Sequence, residues 1–417
     1  MEESVSSITE EANRKAVGQI LDADCILIDI KPAIKAIPGF KDDLITHAGP
    51  PIEWNRMCHT QRFAIINLAL YEGLADSPEK AERRIRTKEI RIAPNHNYNN
   101  VSGMCGVTSA SMPILVIKNP VHGNISYNWQ QTQMTSFGQT YKAGAKEVQF
   151  VQEILSPVIK ATIKEAGGIK VRDLLARGLQ MGDELHGTFD ACRGIFVNWI
   201  LPYMLRTDFS KDILAQVGDY FASDSGRWYC GNLMMGGCKV MMDVARGIKY
   251  STIVTALSRN GVEFGIQVSG LGNEWFTGPA GKIRGFTFPG FREEDSTLDI
   301  GDSAISESRG FGATAMPASP AHAKLMGESF SEALMHTKAM YEVSTCEDSV
   351  FRIPYMDFRG VPVGIDMRKV VETGTVPKIN TGMAHKKGGH PIIGTGVADA
   401  PVESFRNALR AFVEKYA

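Results

Sequence analysis

The 417-residue sequence predicts a multi-domain α+β protein. In the first part short β-type runs alternate with helical segments, the middle is mainly helical, and the last part returns to short β-type runs among glycine-rich passages. We therefore expect an N-terminal α+β domain over residues 1–145 and a helical middle domain over residues 146–248. A C-terminal α+β domain over residues 249–417 would carry glycine-rich site loops.

Composition excludes several classes of function. The formal net charge of −1 argues against non-specific nucleic-acid binding, which needs a basic surface. No run approaches the ~18 apolar residues that a membrane helix needs. The first residues are acidic and polar and lack the apolar centre of a signal peptide. We expect a cytoplasmic protein that binds neither membrane nor nucleic acid.

Seven cysteines are scattered along the chain, and none forms a CxxC pair. An odd number without metal-binding spacing predicts reduced, mostly buried thiols.

The elements of the N-terminal domain alternate in type. A helix or tail comes first, then a strand, two helices, a loop rich in Asn, Gly and Ser, and a further strand. These segments are predicted at residues 1–20, 25–30, 62–75, 78–91, 94–113 and 113–119.

The middle domain is predicted to be almost entirely helical. Apolar residues recur at helical spacing, and a Gly-Gly pair ends the first helical run at 147–168. Further helical segments follow at 171–205, 211–222 and 232–247, with breaks near Gly187 and Pro202.

The C-terminal domain begins with two β-type runs, 251–260 and 263–270, which Gly261 joins into a hairpin. The passage 271–317 is too long for a structureless loop, so several short strands and binding loops are expected there. A long helix is predicted over 319–344.

That long helix would begin at Ser319 as N-cap with Pro320 at its first position. A strand is predicted at 350–357. An amphipathic helix closes the chain, with Phe405, Leu409 and Phe412 on one face.

The segment 357–386 has the highest density of functional side chains. Its charges stand among Gly and Pro residues, which predicts shaped loops rather than a solvated helix. Four cations there suit a carboxylate or phosphate, and two further side chains suit carbonyl polarisation or proton transfer. These residues are Arg359, Arg368, Lys369 and Lys386, and Asn380 and His385.

Two other groups of residues suit polar chemistry. Asp183 and His186 are spaced to share one helical face, with Glu184 offset, and could act as acid and base or bind a metal. Paired carboxylates beside glycine could hold Mg²⁺ or accept amide N–H groups, although Asp and Asn also cap turns. This second group comprises Arg259, Asn260, Glu263, Asp299, Asp302 and Glu307.

Together these motifs resemble the YahG/YlbE-like (AllG) family. The matching segments are HAGPPIEWNRMC (47–58), PNH (94–96), MCGVTSASMP (104–113), LQMGDELH (179–186), STIVTALSRNGVEFGIQVSG (251–270), WFTGPA (275–280), DIGDSAISE (299–307), DFRGVPVGIDMRKVVETG (357–374) and INTGMAHK (379–386). The resemblance implies a subunit of an oxamate carbamoyltransferase of allantoin and purine catabolism. That enzyme interconverts oxalurate plus phosphate with oxamate plus carbamoyl phosphate. It also implies FdrA-like and AllH-like partner subunits in a heteromeric complex, so we expect an oligomer.

Carbamoyl transfer needs cations for phosphate and carboxylate, hydrogen-bond donors for the tetrahedral oxyanion and a proton carrier. We predict catalytic roles for His96, Asp183, His186, Glu263, Asp302 and His385. We predict substrate binding by Asn95, Arg259, Asn260, Arg359, Asp366, Arg368, Lys369, Asn380 and Lys386. No metal ligand and no cofactor is predicted, with Mg²⁺ left open.

Two alternatives stay open. The first is a metal-assisted hydrolase or ligase acting on a small amide, with oxygen ligands from Asp183, Glu184, Asp299 and Asp302. The second is a non-catalytic subunit that completes a site on an FdrA-like partner. The enzymatic interpretation predicts that the distant polar segments fold together around one cleft.

Overall fold

The structure, a computed structural model, describes residues 2–129, 141–390 and 392–416. Its strands are β1 (Ile26–Pro32), β2 (Leu44–His47), β3 (Arg91–Pro94), β4 (Asn100–Val101), β5 (Val107–Thr108), β6 (Pro113–Lys118), β7 (Ile125–Trp129), β8 (Ile169–Lys170), β9 (Val254–Asn260), β10 (Glu263–Val268), β11 (Phe276–Pro279), β12 (Arg284–Thr287), β13 (Ile300–Gly301), β14 (Ser344–Ile353), β15 (Arg359–Ile365), β16 (Lys378–Ala384) and β17 (Ile392–Asp399).

The α-helices are α1 (Glu2–Asp22), α2 (Ala33–Ala36), α3 (His59–Tyr71), α4 (Pro78–Arg86), α5 (Tyr141–Phe150), α6 (Ser156–Ala166), α7 (Val171–Gln180), α8 (Asp190–Met204), α9 (Lys211–Ala222), α10 (Arg227–Met242), α11 (Ile305–Ser308), α12 (Pro320–Leu325), α13 (Phe330–Val343), α14 (Met367–Thr373) and α15 (Val402–Tyr416). Helices and several small sheets occur along the whole chain, which confirms the predicted α+β class.

The first part of the chain contains two sheets. One has the strand order β4-β7-β6-β1-β8, and β1 pairs antiparallel with β6. The predicted strands at 25–30 and 113–119 are therefore confirmed. The other sheet has the order β3-β2-β5, in which β2 and β3 run parallel because α3 and α4 connect them. His47, the last residue of β2, and Asn95, directly after β3, consequently lie at the carboxyl ends of neighbouring strands.

The middle part is helical, as predicted. Helices α5 and α6 are joined without a break by a π-helical turn, Val151–Leu155, and the run ends at Gly167 with φ +70°. Helix α10 is buried along nearly its whole length from Tyr229 to Met242. A helix that is apolar and buried on all sides lies inside a large core.

The last part of the chain carries the predicted hairpin. Strands β9 and β10 pair antiparallel, and Gly261 between them has φ +80°. They lie in a sheet of order β11-β10-β9-β13, and a separate sheet has the order β12-β17-β16. The short strands β11, β12 and β13 confirm the expectation for 271–317.

Three expectations are wrong. Asp183 and His186 do not share a helical face, because residues 181–189 form turns and a loop between α7 and α8, in which Leu185 has φ +67°.

The helix predicted over 319–344 is interrupted between α12 and α13, where Gly327 has φ +83° and Ser329 begins a new helix with a capping box to Glu332. The segment 357–386 is not a set of loops. It forms β15, α14 and β16. Every residue of β15 after Arg359 is buried, and this burial outweighs the Gly and Pro content.

One large core cluster contains apolar residues from all three predicted domains, including Ile20, Leu115, Phe196 and Phe351. The domain division itself stays a prediction. All seven cysteines are free and five are buried, as expected. Within the described ranges, no helix is long and apolar enough to cross a membrane.

Candidate functional site

A cavity of about 620 Å³ opens between the start of α8, the start of α10, helix α12 and the β16–β17 pair. Its wall combines apolar side chains with a smaller number of polar groups, which is typical of small-molecule sites. The lining residues are Gly103, Met104, His186, Gly187, Thr188, Phe189, Asp190, Arg227, Trp228, Gly231, Asn232, Met234, Met235, Phe288, Ser303, His322, Leu325, Met326, Asn380, Thr381, Gly382, Ile392 and Thr395.

Asn380 on β16 places a free amide in this cavity. The side chain is fully buried, and within the described part of the chain neither its nitrogen nor its oxygen has a hydrogen-bond partner. Burying an unpaired amide costs about 1–3 kcal/mol. A ligand that both accepts from and donates to this amide would remove that cost.

His186 and Glu307 form the first carboxylate–histidine pair at the cavity. The Nδ1 atom of His186 lies 2.8 Å from Oε1 of Glu307. The same carboxylate accepts backbone N–H groups of Ala313 and Asn380, both at 3.2 Å, and the Ser306 hydroxyl at 2.7 Å. The contact at Nδ1 fixes the orientation of the imidazole ring, so Nε2 is the ring nitrogen that can contact a ligand in the cavity.

Glu184 and His322 form the second pair. His322 lines the cavity, and its Nε2 atom lies 3.3 Å from Oε1 of Glu184, which is fully buried behind it. The two atoms are close without the geometry of a hydrogen bond, and among the described residues Nε2 has no hydrogen-bond partner. Burial raises the pKa of Glu184 to about 7. Burial, with the positive charges of His186 and Arg227, lowers the pKa of His322 to about 4. His322 is therefore neutral at neutral pH.

Arg227 supplies positive charge to the cavity. It begins α10, and its guanidinium lies 5.3 Å from the ring centroid of Trp228. Across the described ranges no carboxylate forms an ion pair with it, and its Nε atom is buried without a hydrogen-bond partner. An arginine in this state can bind a carboxylate or phosphate.

Of the predicted site residues, only His186 and Asn380 line the cavity. Arg259 and Asn260 are buried nearby and already bonded. Arg259 makes a two-point ion pair with Asp299, with N–O distances of 2.7 and 2.9 Å. Asn260 accepts the N–H groups of Val262 and Glu263 and donates to the carbonyl of Pro50. Both side chains therefore stabilise the β9–β10 turn and the β13 segment.

Asp302 is the centre of a second buried network. Its carboxylate accepts hydrogen bonds from Gly49 N, Ser258 Oγ, Ser102 N and Asn95 Nδ2. His96 Nε2 lies 3.5 Å away. Burial opposes ionisation, but His96 and the donated hydrogen bonds hold the pKa of Asp302 below its usual value. Asn95, His96 and Asp302 lie together, but away from the cavity lining.

Asp183 and Glu263 also have structural partners. Asp183 accepts the N–H groups of Ala191 at 3.3 Å and Cys192 at 2.7 Å, so it caps the start of α8 from outside the helix. Glu263 forms an ion pair of 2.6 Å with Arg56.

The predicted cations of 357–386 are dispersed. Arg359 pairs with Glu347 and stacks on Tyr341, while Arg368 pairs with Asp366, the N-cap of α14, and with Glu10. The Nζ atoms of Lys369 and Lys386 donate to the carbonyls of Ser344 and Glu294, and the ring of His385 stands 4.2 Å from that of His390. The structure does not bring Arg368 or His385 to the cavity or to Asp302.

The structure does not group the four candidate metal ligands of the alternative hypothesis. Asp183 caps α8, Asp299 pairs with Arg259, and Asp302 and Glu184 lie in separate networks. Across residues 2–129, 141–390 and 392–416, no group of three or more His, Cys, Asp or Glu side chains is arranged around a common ion position.

Sequence reasoning missed Arg227 and His322. Arg227 stands in a Gly-Arg-Trp run that opens a helix, and an Arg–Trp pair at a helix start is a weak indication of a binding site. His322 follows a Ser-Pro helix start, which indicates only the helix.

The fold and the cavity define an α+β protein with a cavity of small-molecule size, lined by a cation, an unpaired amide and two histidines that each lie against a carboxylate. The chain belongs to the AllG family, since the family model described as oxamate carbamoyltransferase subunit AllG matches residues 90–303. That match includes His186, Glu184 and Arg227.

Relatives extend the similarity over the whole chain. Oxamate carbamoyltransferase subunit AllG of Escherichia coli is 36% identical over 410 residues, which is 97% of each chain. The uncharacterized protein YahG of Escherichia coli is 37% identical over 408 residues, covering 97% of this chain and 86% of YahG. A crystal structure of a conserved protein of unknown function from Enterococcus faecalis matches with a TM-score of 0.95 and 38% identity over 99% of both chains.

Proposed function

We propose that the chain is a subunit of a carbamoyltransferase that moves a carbamoyl group between a ureido acid and phosphate, with oxalurate as the first substrate to test. The name of the Escherichia coli AllG relative supports this class of reaction. Partner subunits of the FdrA-like and AllH-like types and a cytoplasmic location belong to the same proposal.

The observation that carries the proposal is the unpaired amide of Asn380 beside the unpaired cation of Arg227 in one cavity. Oxalurate and oxamate offer what these groups lack, because each joins a planar amide to a carboxylate. Asn380 would bind the amide or the tetrahedral oxyanion, and Arg227 would bind a carboxylate or the phosphate.

The cavity also suits two ligands at once. His186, fixed by Glu307, and Ser303 and Thr381 supply further polar atoms on the wall. Holding the ureido acid and phosphate together in the cavity converts a bimolecular reaction into an effectively unimolecular one. We propose no bound cofactor. Mg²⁺ enters the proposal only as an ion accompanying phosphate, and the assay below is run with and without EDTA.

The test is phosphorolysis of oxalurate by the chain alone and by its complex with the two partner subunits. A carbamate kinase couples the carbamoyl phosphate formed to ATP synthesis. We expect activity in the complex, and replacement of Arg227 by Ala should raise the KM for oxalurate or phosphate roughly 10- to 100-fold, since a charged hydrogen bond contributes about 1.5–3 kcal/mol.

Arg206 is the matched control. It also stacks on an aromatic ring, that of Tyr203 at 5.5 Å, but does not line the cavity. Arg206→Ala should leave the kinetics unchanged. A complex that forms no carbamoyl phosphate, or equal effects of the two arginine substitutions, would count against the proposal.

A further inference from the structure

The two carboxylate–histidine pairs at the cavity differ in how their carboxylates are bonded. Glu307 accepts hydrogen bonds from four donors, which spread over both of its oxygens. Glu184 accepts the N–H groups of Gly187 and Thr188 on Oε1 alone. Its Oε2 atom is buried and, among the described residues, has no partner.

The bonding of each carboxylate determines its role. Donated hydrogen bonds stabilise the ionised form of a carboxylate, and burial without them destabilises it. The four donors hold Glu307 in place, and Glu307 orients His186. Burial raises the pKa of Glu184 to about 7, and a more basic carboxylate stabilises a positive charge on its histidine partner more strongly.

The approach of His322 to Glu184 depends on Gly187. A Cβ atom at position 187 would overlap Nε2 and Cε1 of His322 and crowd Oε1 of Glu184. The backbone of Gly187 does not have the positive φ that would itself require glycine. Because residue 187 has no side chain, the imidazole of His322 can approach the carboxylate of Glu184.

Burial and the surrounding charges keep the imidazole of His322 neutral before the reaction. Its neighbours among the titratable and charged groups are Glu184 behind it, His186 and its partner Glu307, and Arg227 across the cavity. The positive charges of His186 and Arg227 disfavour a proton on the resting imidazole. Glu184, once ionised, compensates for the proton that arrives during the reaction.

We propose that His322 is the proton-transfer group of the cavity and that Glu184 is its positioning residue, while His186 and Glu307 serve to bind and orient. This inference rests on the proposed carbamoyl transfer. As a phosphate oxygen forms a bond to the carbamoyl carbon, His322 takes the proton of that oxygen. The C–N bond then breaks with its electron pair passing to the amide nitrogen, and His322 returns the proton to that nitrogen.

The first test compares the rate–pH profiles of four complexes, namely wild type, Glu184→Gln, His322→Gln and Gly187→Ala. The Gln side chain at 184 keeps an oxygen for the two backbone donors. We expect wild-type kcat to rise with pH through about 7, where Glu184 ionises. That limb should vanish in Glu184→Gln, and kcat should fall about 100-fold or more in both glutamine variants with little change in KM.

Gly187→Ala changes neither titrating group but displaces the imidazole, so it should lower kcat in the same way. His336→Gln is the control, because His336 is also a buried histidine with a lowered pKa of about 3 but does not line the cavity. It should keep the wild-type profile. An active wild-type complex whose Glu184→Gln variant keeps the rate and the pH limb would overturn the inference. An inactive wild-type complex would instead count against the proposed function.

The second test does not use activity. The raised pKa of Glu184 makes stability fall as pH rises from 4.5 to about 7, because the native state holds a proton there that the unfolded state has lost. The lowered pKa of His322 makes stability rise between about 4 and 6.5. The two slopes oppose each other in the wild type.

Removing Glu184 leaves the His322 slope alone. The Tm of Glu184→Gln relative to wild type should therefore increase as the pH rises from 4.5 to 7, and that of His322→Gln should decrease between pH 4.5 and 6.5. Differences in Tm that do not change with pH would show that neither group titrates as required and would overturn the inference.

Discussion

Asn380 and Asn260 are both completely buried asparagines, but their amides are used in opposite ways. Asn260 uses its amide inside the protein, bonded to Val262, Glu263 and Pro50. Asn380 has no partner for either amide atom among the described residues and faces the cavity. A buried polar group that the fold does not satisfy is a candidate for ligand contact, because evolution of stability alone would replace it.

The two asparagines therefore make a matched pair of substitutions. Asn380→Ala should not lower the free energy of unfolding, because no side-chain hydrogen bond is lost and an unpaired buried amide is removed, yet it should lower kcat roughly 100-fold if the amide binds the oxyanion. Asn260→Ala should cost about 2–3 kcal/mol by leaving two backbone N–H groups unpaired. Denaturant unfolding and the coupled assay measure both effects. Full activity of Asn380→Ala would remove this residue from the site.

At the scale of single residues, the sequence predicted which polar side chains lie at the cavity or in buried networks better than it predicted which groups they contact. It selected His186 and Asn380, which line the cavity, and Asn95, His96 and Asp302, which do come together. It could not show that Arg259 pairs with a carboxylate 40 positions away, or that Arg368 pairs with Glu10, 358 positions away, as well as with the nearby Asp366. Arg227, which has no carboxylate partner among the described residues, is marked in the sequence only by its weak Gly-Arg-Trp context.

Among the elements, the sheet β12-β17-β16 forms one wall of the cavity through Asn380, Ile392 and Thr395. Gly285 on β12 stands opposite Gly396 on β17. A Cβ at either position would overlap backbone atoms of the neighbouring strand, including the carbonyls of Arg284 and Thr395. The two strands can pair this closely only because both residues are glycine.

Gly396→Ala should therefore destabilise the protein by about 1–3 kcal/mol and lower activity with it, because β17 carries part of the cavity wall. The control is Gly194→Ala in α8, where a Cβ meets nothing within 4 Å. That substitution should stabilise by about 0.5–1 kcal/mol. Thermal unfolding and the activity assay follow both variants. Tolerance of Gly396→Ala would contradict the tight pairing of β12 with β17.

Prediction of helices and strands succeeded where the sequence pattern is local, and it failed where packing against residues distant in the sequence determines the structure. The hairpin at Gly261 and the end of α6 at Gly167 depend on neighbouring residues and are predicted correctly. The segment 357–386 misled because its Gly and Pro content resembles a loop, whereas burial of β15 and β16 in the folded chain makes it regular. Such burial depends on partners far away in the sequence.

For the whole molecule, the N-terminal helix α1 is bound to the last part of the chain. Asn13 is buried, donates to Thr252 Oγ1 at 2.8 Å and Asp366 Oδ2 at 3.2 Å, and accepts from Ser251 Oγ at 3.0 Å and Thr252 N at 2.8 Å. These contacts span up to 353 positions. Together with the core cluster shared by the three predicted domains, they couple the two ends of the chain.

This coupling predicts one cooperative unfolding transition for the three predicted domains, because separating any of them would expose part of the shared core. Asn13→Ala should lower the free energy of unfolding by about 3 kcal/mol, since four buried hydrogen bonds are lost. Lys15→Ala on the exposed face of the same helix should change it by less than about 0.5 kcal/mol.

Hydrogen exchange read by mass spectrometry in rising denaturant is the measurement. Protection in residues 1–145, 146–248 and 249–417 should be lost at one denaturant concentration, and Asn13→Ala should shift that concentration equally for all three. A shift confined to α1 and its contacts at Ser251, Thr252 and Asp366, or separate transitions, would show instead that the three regions fold as independent domains.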